Sequence, residues 1–248
     1  LDYVKCDMNR SFSPAGSAAL PPEKQAEVPH RYMLGLYGVL ERLTATFPAV
    51  LFESCASGGG RFDLGMLHYM PQTWCSDNTD AHDRCFVQYA TSLVFPPSAM
   101  GAHISAVPNH QTGRSTALAT RSDVAMGGTY GFELDVTRLP ETEIAEMRRL
   151  LTRVKGVRNT LLYGDFHRLQ SPFETNGVAW MAVSPDRREA VVTCVRFRAE
   201  VNRTLAALPL RGLDPDKLYR VEETGATLGG DELMTLGLTL DFPRGDDA

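Results

Sequence analysis

The sequence predicts an α/β chain that begins with parallel strand–helix units and ends in an antiparallel β domain. Two observations lead there. Through the first two thirds, short apolar runs alternate with longer stretches of helical spacing, the order that parallel βα units impose. From about Gly164 the helical spacing stops, and short β-type runs follow one another between Pro, Gly and Asp turns. A length of 248 residues accommodates one large domain or two ordinary ones.

Taken in order, Asp2–Cys6 is the first strand candidate, followed by a Ser/Pro-rich loop, Ser11–Pro22. A helix is predicted over His30–Thr46, where Met33, Leu36, Tyr37, Leu40 and Leu43 recur at three- and four-residue spacing and form one apolar stripe. Pro48 ends it, and Ala49–Glu53 is the second strand. Gln72–Cys75 is the third, before a helix from near Thr79 to about Leu93, with Asn78, Thr79 and Asp80 as capping residues. Met100–Ile104 is the fourth strand, Ser115–Met126 a short helix and Thr129–Glu133 the fifth strand. Glu141–Leu161 carries the clearest helical pattern, with Ile144, Met147, Leu150, Leu151 and Val154 on one face and Pro140 at its start. The β-type runs are Gly164–Leu169, Val178–Ser184, Ala190–Arg198, Leu218–Glu222 and Leu236–Leu240. Turns are expected at Ser184-Pro185-Asp186, Asp214-Pro215-Asp216 and Gly229-Gly230-Asp231, which gives an antiparallel sheet domain of sandwich type. Five parallel strands fit part of a barrel or of an open doubly wound sheet.

Composition excludes several functions. Lys and Arg total 25 against 30 for Asp and Glu, evenly spread, so a basic face for nucleic acid is not expected. No apolar run approaches the roughly 20 residues of a membrane helix. The five cysteines (Cys6, Cys55, Cys75, Cys85, Cys194) are odd in number and form no CxxC pair. That argues against a disulfide scaffold or a four-cysteine zinc site and favours a reducing compartment.

Functional side chains in parallel α/β folds gather at the carboxyl ends of strands. Here polar clusters stand at four of them: Lys5-Cys6-Asp7-Met8-Asn9-Arg10, Glu53-Ser54-Cys55-Ala56-Ser57-Gly58-Gly59-Gly60-Arg61, Ser76-Asp77-Asn78-Thr79-Asp80, and His103 with Asn109-His110-Gln111. Four clusters in register imply a shared pocket. Asp7 and Asp77 are candidates for paired carboxylate chemistry, one ionised to attack and one protonated to donate. Each could equally cap a helix or a loop, and Asp80 rivals Asp77. Lys5 and Asp7 share a face of an extended strand, so Lys5 either helps keep Asp7 ionised and contacts a ligand hydroxyl or forms a plain structural ion pair. Ser57-Gly58-Gly59-Gly60 lets backbone approach a ligand closely but lacks the spacing of a nucleotide loop. Cys55 reads as a neutral thiol in the site wall more readily than as a nucleophile. His103 and His110 lack the acidic or cysteine neighbours of a metal site. Trp74 and Tyr69 suit either sugar stacking or core packing.

These blocks carry a resemblance. YVKCDMNR, LFESCASGGGRFD, PQTWCSDNTDAHDR, SAMGAHISAVPNHQTGR and TYGFELDVTRL resemble successive segments of the microbial α-galactosidases of glycoside hydrolase family 36, and YGDFHRL and GDELMTLGLTL are similar too. The resemblance spans essentially the whole chain. It implies strands four to eight of a (β/α)8 TIM barrel over residues 1–163, then the family's C-terminal β-sandwich over 164–248. It also implies Asp7 as nucleophile and Asp77, not Asp80, as acid/base. Lys5 and Asn9 match sugar-contacting positions, and Cys55 and Gly58 match the loop that recognises the galactose 2-hydroxyl. Cys6 departs from the Trp common in the family; lying between two pocket-facing positions, it should point away from the pocket.

The function so implied is retaining hydrolysis of terminal α-galactose from oligosaccharides such as melibiose and raffinose, without metal or organic cofactor. The alternatives are an α-N-acetylgalactosaminidase or transferring relative, or an inactive sugar-binding or structural remnant. The expected partner is the galactoside substrate, with no nucleic acid and no membrane, in a cytoplasmic homo-oligomer. The chain is read as the C-terminal piece of a longer protein and is expected to be inactive alone. Asn9-Arg10-Ser11 is a glycosylation sequon, and a glycan there would obstruct the pocket.

Overall fold

The computed structural model describes residues 1–9, 13, 15–198 and 206–240. Arg10 and Ser11 of the sequon therefore lie outside the described residues. The chain forms two compact units, Leu1–Asp77 and Asn78–Ala248.

In the first unit β1 (Tyr3–Cys6), β2 (Leu51–Ser54) and β3 (Gln72–Trp74) run parallel in that order, joined through α1 (Val28–Thr46) and α2 (Leu64–Tyr69). The stripe predicted for α1 is the face that packs: Leu36, Tyr37, Leu40 and Leu43 meet Val4, Cys6, Phe52, Met66 and Met70. Cys6 thus faces the helices, and strand alternation turns Lys5 to the opposite face. Helix α1 starts at Val28, before the expected His30, because Pro29 in the first turn costs no hydrogen bond. Helix α2 was not legible from periodicity, being one short stretch with a glycine in it. Its nucleation is chemical: the Asp63 carboxylate accepts from the Met66 N–H at 2.9 Å, while Met66 is fully buried.

The second unit begins with α3 (Ala81–Thr91), β4 (Met100–Ser105), α4 (Leu118–Ala125), β5 (Thr129–Glu133) and α5 (Glu141–Tyr163). Strands β4 and β5 pair in parallel from Gly101↔Thr129 to Ser105↔Glu133. Nearly every β4 residue is buried, as expected of a parallel strand covered on both faces. Met147, Leu150 and Val154 form the buried side of α5, at the predicted spacing.

Then the topology turns antiparallel. The strands β6 (Asp165–Gln170), β7 (Gly177–Val183) and β8 (Ala190–Arg196) form one sheet. Two ribbons follow, β9 (Ala206–Leu208) with β12 (Leu238–Leu240) and β10 (Leu218–Arg220) with β11 (Thr227–Gly229). All seven residues of β7 are buried. Val178 and Trp180 pack with Ala81, Cys85 and Val124, while Ala179, Met181 and Val183 join Leu208, Leu210, Leu213 and Leu233.

The expected turn at Gly229-Gly230-Asp231 is instead the start of α6 (Gly230–Thr235). The Glu232 carboxylate accepts from the Gly229 N–H at 3.3 Å, and Gly230 is required because the Asp214 carbonyl occupies the space of a side chain. The predicted run Leu236–Leu240 is correspondingly broken at Gly237, at φ 91°, and only its last three residues pair. Strands β9 and β11, three residues each, are too short to show alternation.

Candidate active site

The register of β1 on β2 sets Lys5 opposite Glu53 and Cys6 opposite Ser54. The ladder continues past both strand ends: the Cys55 N–H donates to the Cys6 carbonyl at 2.9 Å, and the Met8 N–H to the Cys55 carbonyl at 3.1 Å. Arg61 reaches back and donates to both of those carbonyls, at 3.1 and 2.8 Å. These bonds fix Asp7 beside the Cys55–Gly60 loop.

Asp7 is an exposed carboxylate surrounded by donors. The Met8 N–H donates to Oδ1 at 2.8 Å and the Asn9 amide to Oδ2 at 2.9 Å, and the Cys55 thiol and Ser57 N–H donate as well. These bonds, the Cys55 thiol foremost, hold its pKa below the usual carboxylate value. An acid so held is ionised at neutral pH, as a nucleophile must be. Cys55 is buried, and burial pushes its thiol up, a shift reinforced by the bond to Asp7, so it stays protonated as a donor. Asn9 is first of all a brace: one end bonds Asp7, while its Oδ1 accepts from the Ser57 N–H and Oγ at 3.2 and 3.1 Å.

Gly58 joins this loop to the end of β3. Its φ of 83° lies in the left-handed region, and a Cβ there would stand 2.7 Å from Ser76 Cα and 2.9 Å from the Asp77 nitrogen. The loop carrying Cys55 therefore lies directly on the backbone that carries Asp77, whose side chain is exposed. Asp80, the rival carboxylate, is engaged otherwise. It caps α3 by accepting from the Asp83 N–H at 3.1 Å, accepts from Thr112 Oγ1 at 2.8 Å, and pairs with Arg114. Asp80 thus sits at the cap position expected of it, just before the helix.

Lys5 Nζ stands 3.6 Å from Glu53 Oε1 and 4.6 Å from the centre of the Trp74 ring. Trp74 is buried, and Tyr69 packs on Tyr37 and His68, so both belong to the core. In the second unit His103 lies on β4 and packs against Gly131, while His110 is exposed in the following loop. Asp80, His82 and Asp83 come within ligand distance of one another, but Arg114 bonds Asp80 and approaches Asp83 at 3.5 Å, so a guanidinium already balances that cluster. Two residues at the site were not singled out from the sequence, Glu53 and Arg61. Glu53 had a signal, a carboxylate ending the apolar run Val50-Leu51-Phe52; the role of Arg61 depends on which carbonyls meet.

An aspartate at the carboxyl end of β1 and another at that of β3 stand where parallel βα barrels carry their functional groups, and paired carboxylates are the chemistry of glycoside hydrolases. The chain belongs to the melibiase family: that family's model matches residues 1–164, and the model of the glycosyl hydrolase family 36 C-terminal domain matches 177–248. Among its relatives is the α-galactosidase AgaA of Geobacillus stearothermophilus, 56% identical over 99% of this chain and 34% of that protein. α-Galactosidase Mel36A of Lactobacillus acidophilus is 46% identical over the same shares of the two chains. The crystal structure of AgaA superposes with a TM-score of 0.96 over 99% of this chain and 34% of that one, and a variant of it has been solved in complex with raffinose. The α-galactosidase of Lactobacillus brevis, 43% identical, also gives 0.96, over 99% and 33%. The fold is accordingly the C-terminal part of a (β/α)8 barrel followed by an antiparallel β-sandwich. The chain spans about a third of the length of the relatives it matches.

Proposed function

We propose that the protein carrying this chain is a retaining α-galactosidase that removes terminal α-linked galactose from oligosaccharides of the melibiose and raffinose type. The observation that carries the reading is the set of donors around Asp7, which keeps a carboxylate ionised next to the loop that touches Asp77. In the first step an Asp7 oxygen attacks the anomeric carbon, the glycosidic bond breaks, and Asp77 gives its proton to the leaving oxygen. In the second, Asp77 takes a proton from water, whose oxygen attacks the same carbon and releases Asp7. Two inversions return the α-anomer. Lys5 and the free amide hydrogen of Asn9 contact sugar hydroxyls, and the Cys55–Gly58 loop recognises the 2-hydroxyl. This chemistry needs neither metal nor organic cofactor.

The reading divides the chain at 163/164 into catalytic barrel and sandwich, supported by the ranges that the two family models match. It places the enzyme in the cytoplasm, in keeping with five free cysteines, and takes it to be a homo-oligomer. No helix among the described residues is long and apolar enough to cross a membrane. The test is stereochemical. Proton NMR of the full-length enzyme acting on a nitrophenyl α-galactoside should show α-galactose first, with β-galactose appearing only by mutarotation. β-Galactose as first product would overturn the mechanism, and no release of galactose would overturn the activity.

A further inference from the structure

Glu53 is the least expected residue of the first unit. It is a carboxylate with 1% exposure, on a strand whose neighbouring Phe52 and Ser54 are also buried. Burying a charge is costly unless it is paired and hydrogen bonded. Here the pairing runs across three strands. The register aligns Lys5, Glu53 and Gln72 in one row, with Lys5 Nζ 3.6 Å from Oε1 and the Gln72 amide donating to Oε2 at 3.2 Å. Gln72 also donates to the Tyr3 hydroxyl at 3.3 Å, which fixes its amide. The Lys5 ammonium is thus held between a buried carboxylate and the face of a buried indole, while its side chain remains 38% exposed. A lysine stem has four rotatable bonds and three donors that point wherever the ammonium settles. Those two neighbours leave the exposed part of the ammonium with donors for a ligand, and Lys5 lies two residues before Asp7, on the same face of the extended chain.

We infer that Glu53 is a positioning residue for sugar binding: through its contact with Lys5, and with Trp74 as the second wall, it aims the ammonium at the hydroxyls of a bound galactoside. The inference rests on the α-galactosidase reading above. Because Lys5 would contact a hydroxyl away from the reacting bond, ground state and transition state feel the loss alike, and the effect falls on KM.

The test is a double-mutant cycle in the full-length protein, with Lys5→Met, Glu53→Gln and the pair, assayed on a nitrophenyl α-galactoside. Glu53→Gln should raise KM about tenfold and leave kcat within about threefold. On the Lys5→Met background the same change should add less than about twofold, since there is no ammonium left to aim. A merely structural role would lower the melting temperature and the amount of active enzyme without this split or this coupling. Should Glu53→Gln fold poorly, Glu53→Asp withdraws the carboxylate by one methylene and carries the same comparison. Unchanged KM in a folded Glu53 variant, or an effect fully additive with Lys5→Met, would overturn the assignment. An unsubstituted protein that releases no galactose would instead sink the functional reading.

Discussion

Replacing Gly58 by alanine separates two costs that usually arrive together. The backbone there has a φ of 83°, and an L-residue in the left-handed region costs about 1–2 kcal/mol. The added Cβ would also stand 2.7 Å from Ser76 Cα and 2.9 Å from the Asp77 nitrogen. Carbon atoms prefer about 3.5–4 Å, so loop and strand end must part by roughly 1 Å. Both obstructing atoms are backbone, and no rotamer change can clear them. The displaced atoms carry Asp77, and a misplacement of that size costs about a hundredfold in rate. Gly113→Ala is the control. Its φ is 72°, but nothing lies within 4 Å of its Cβ, so it incurs the strain without the displacement. Measured on the full-length enzyme, both variants should melt earlier. Only Gly58→Ala should lose about two orders of magnitude in kcat/KM for a nitrophenyl α-galactoside. Retention of kcat/KM within twofold by Gly58→Ala, or an equal loss in Gly113→Ala, would refute the reasoning.

The other expectations concern single side chains. Asp7→Ala should abolish hydrolysis and, with azide in the place of the missing carboxylate, yield β-galactosyl azide. Asp77→Ala should keep glycosylation for good leaving groups and yield the α-azide; the opposite assignment of products would reverse the two roles. Cys55→Ser should retain turnover with a raised KM, because a hydroxyl can replace the thiol as donor, and a sugar trapped on sulfur in the unsubstituted enzyme would contradict it. His167 has a buried Nε2, and burial lowers its pKa from 6.5. As pH falls below 6.5 the unfolded chain takes up a proton that the folded one refuses, so stability declines until the folded-state pKa is reached. His167→Phe should flatten that decline between about pH 7 and 5 in thermal melts; an identical slope in both proteins would exclude His167 as its source.

What could be read from the residues was local. The stripes of α1 and α5 show their buried faces because each is several turns long and repeats. Asp7, Cys55 and Gly58 stand out as polar or glycine positions directly after apolar runs. The helix α2 and the strands β9 and β11 do not repeat anything, and a side-chain cap or a partner strand decides them. Glu53 and Arg61 escaped for another reason. Their meaning comes from register: Glu53 matters because Lys5 is opposite, and Arg61 because two strand-end carbonyls converge on it. Asn9 shows the same limit, since its bonds to Asp7 and Ser57 make it a brace for the proposed nucleophile in addition to its proposed sugar contact.

Strand β7 belongs to two apolar interiors at once, with Val178 and Trp180 on one side and Ala179, Met181 and Val183 on the other. Neither interior can be wetted without disturbing the backbone that the other needs, so the barrel helices α3 and α4 and the β-sandwich should share one opening event. Amide hydrogen exchange gives this a direct expression. Protected amides in α3, in β7 and in the β9–β12 ribbon should exchange with one free energy and respond together to denaturant. Proposed chemistry and cooperativity would then be partitioned differently: the proposed reaction is assigned to the barrel, but the resistance to unfolding of α3 and α4 is written in a strand of the neighbouring sheet.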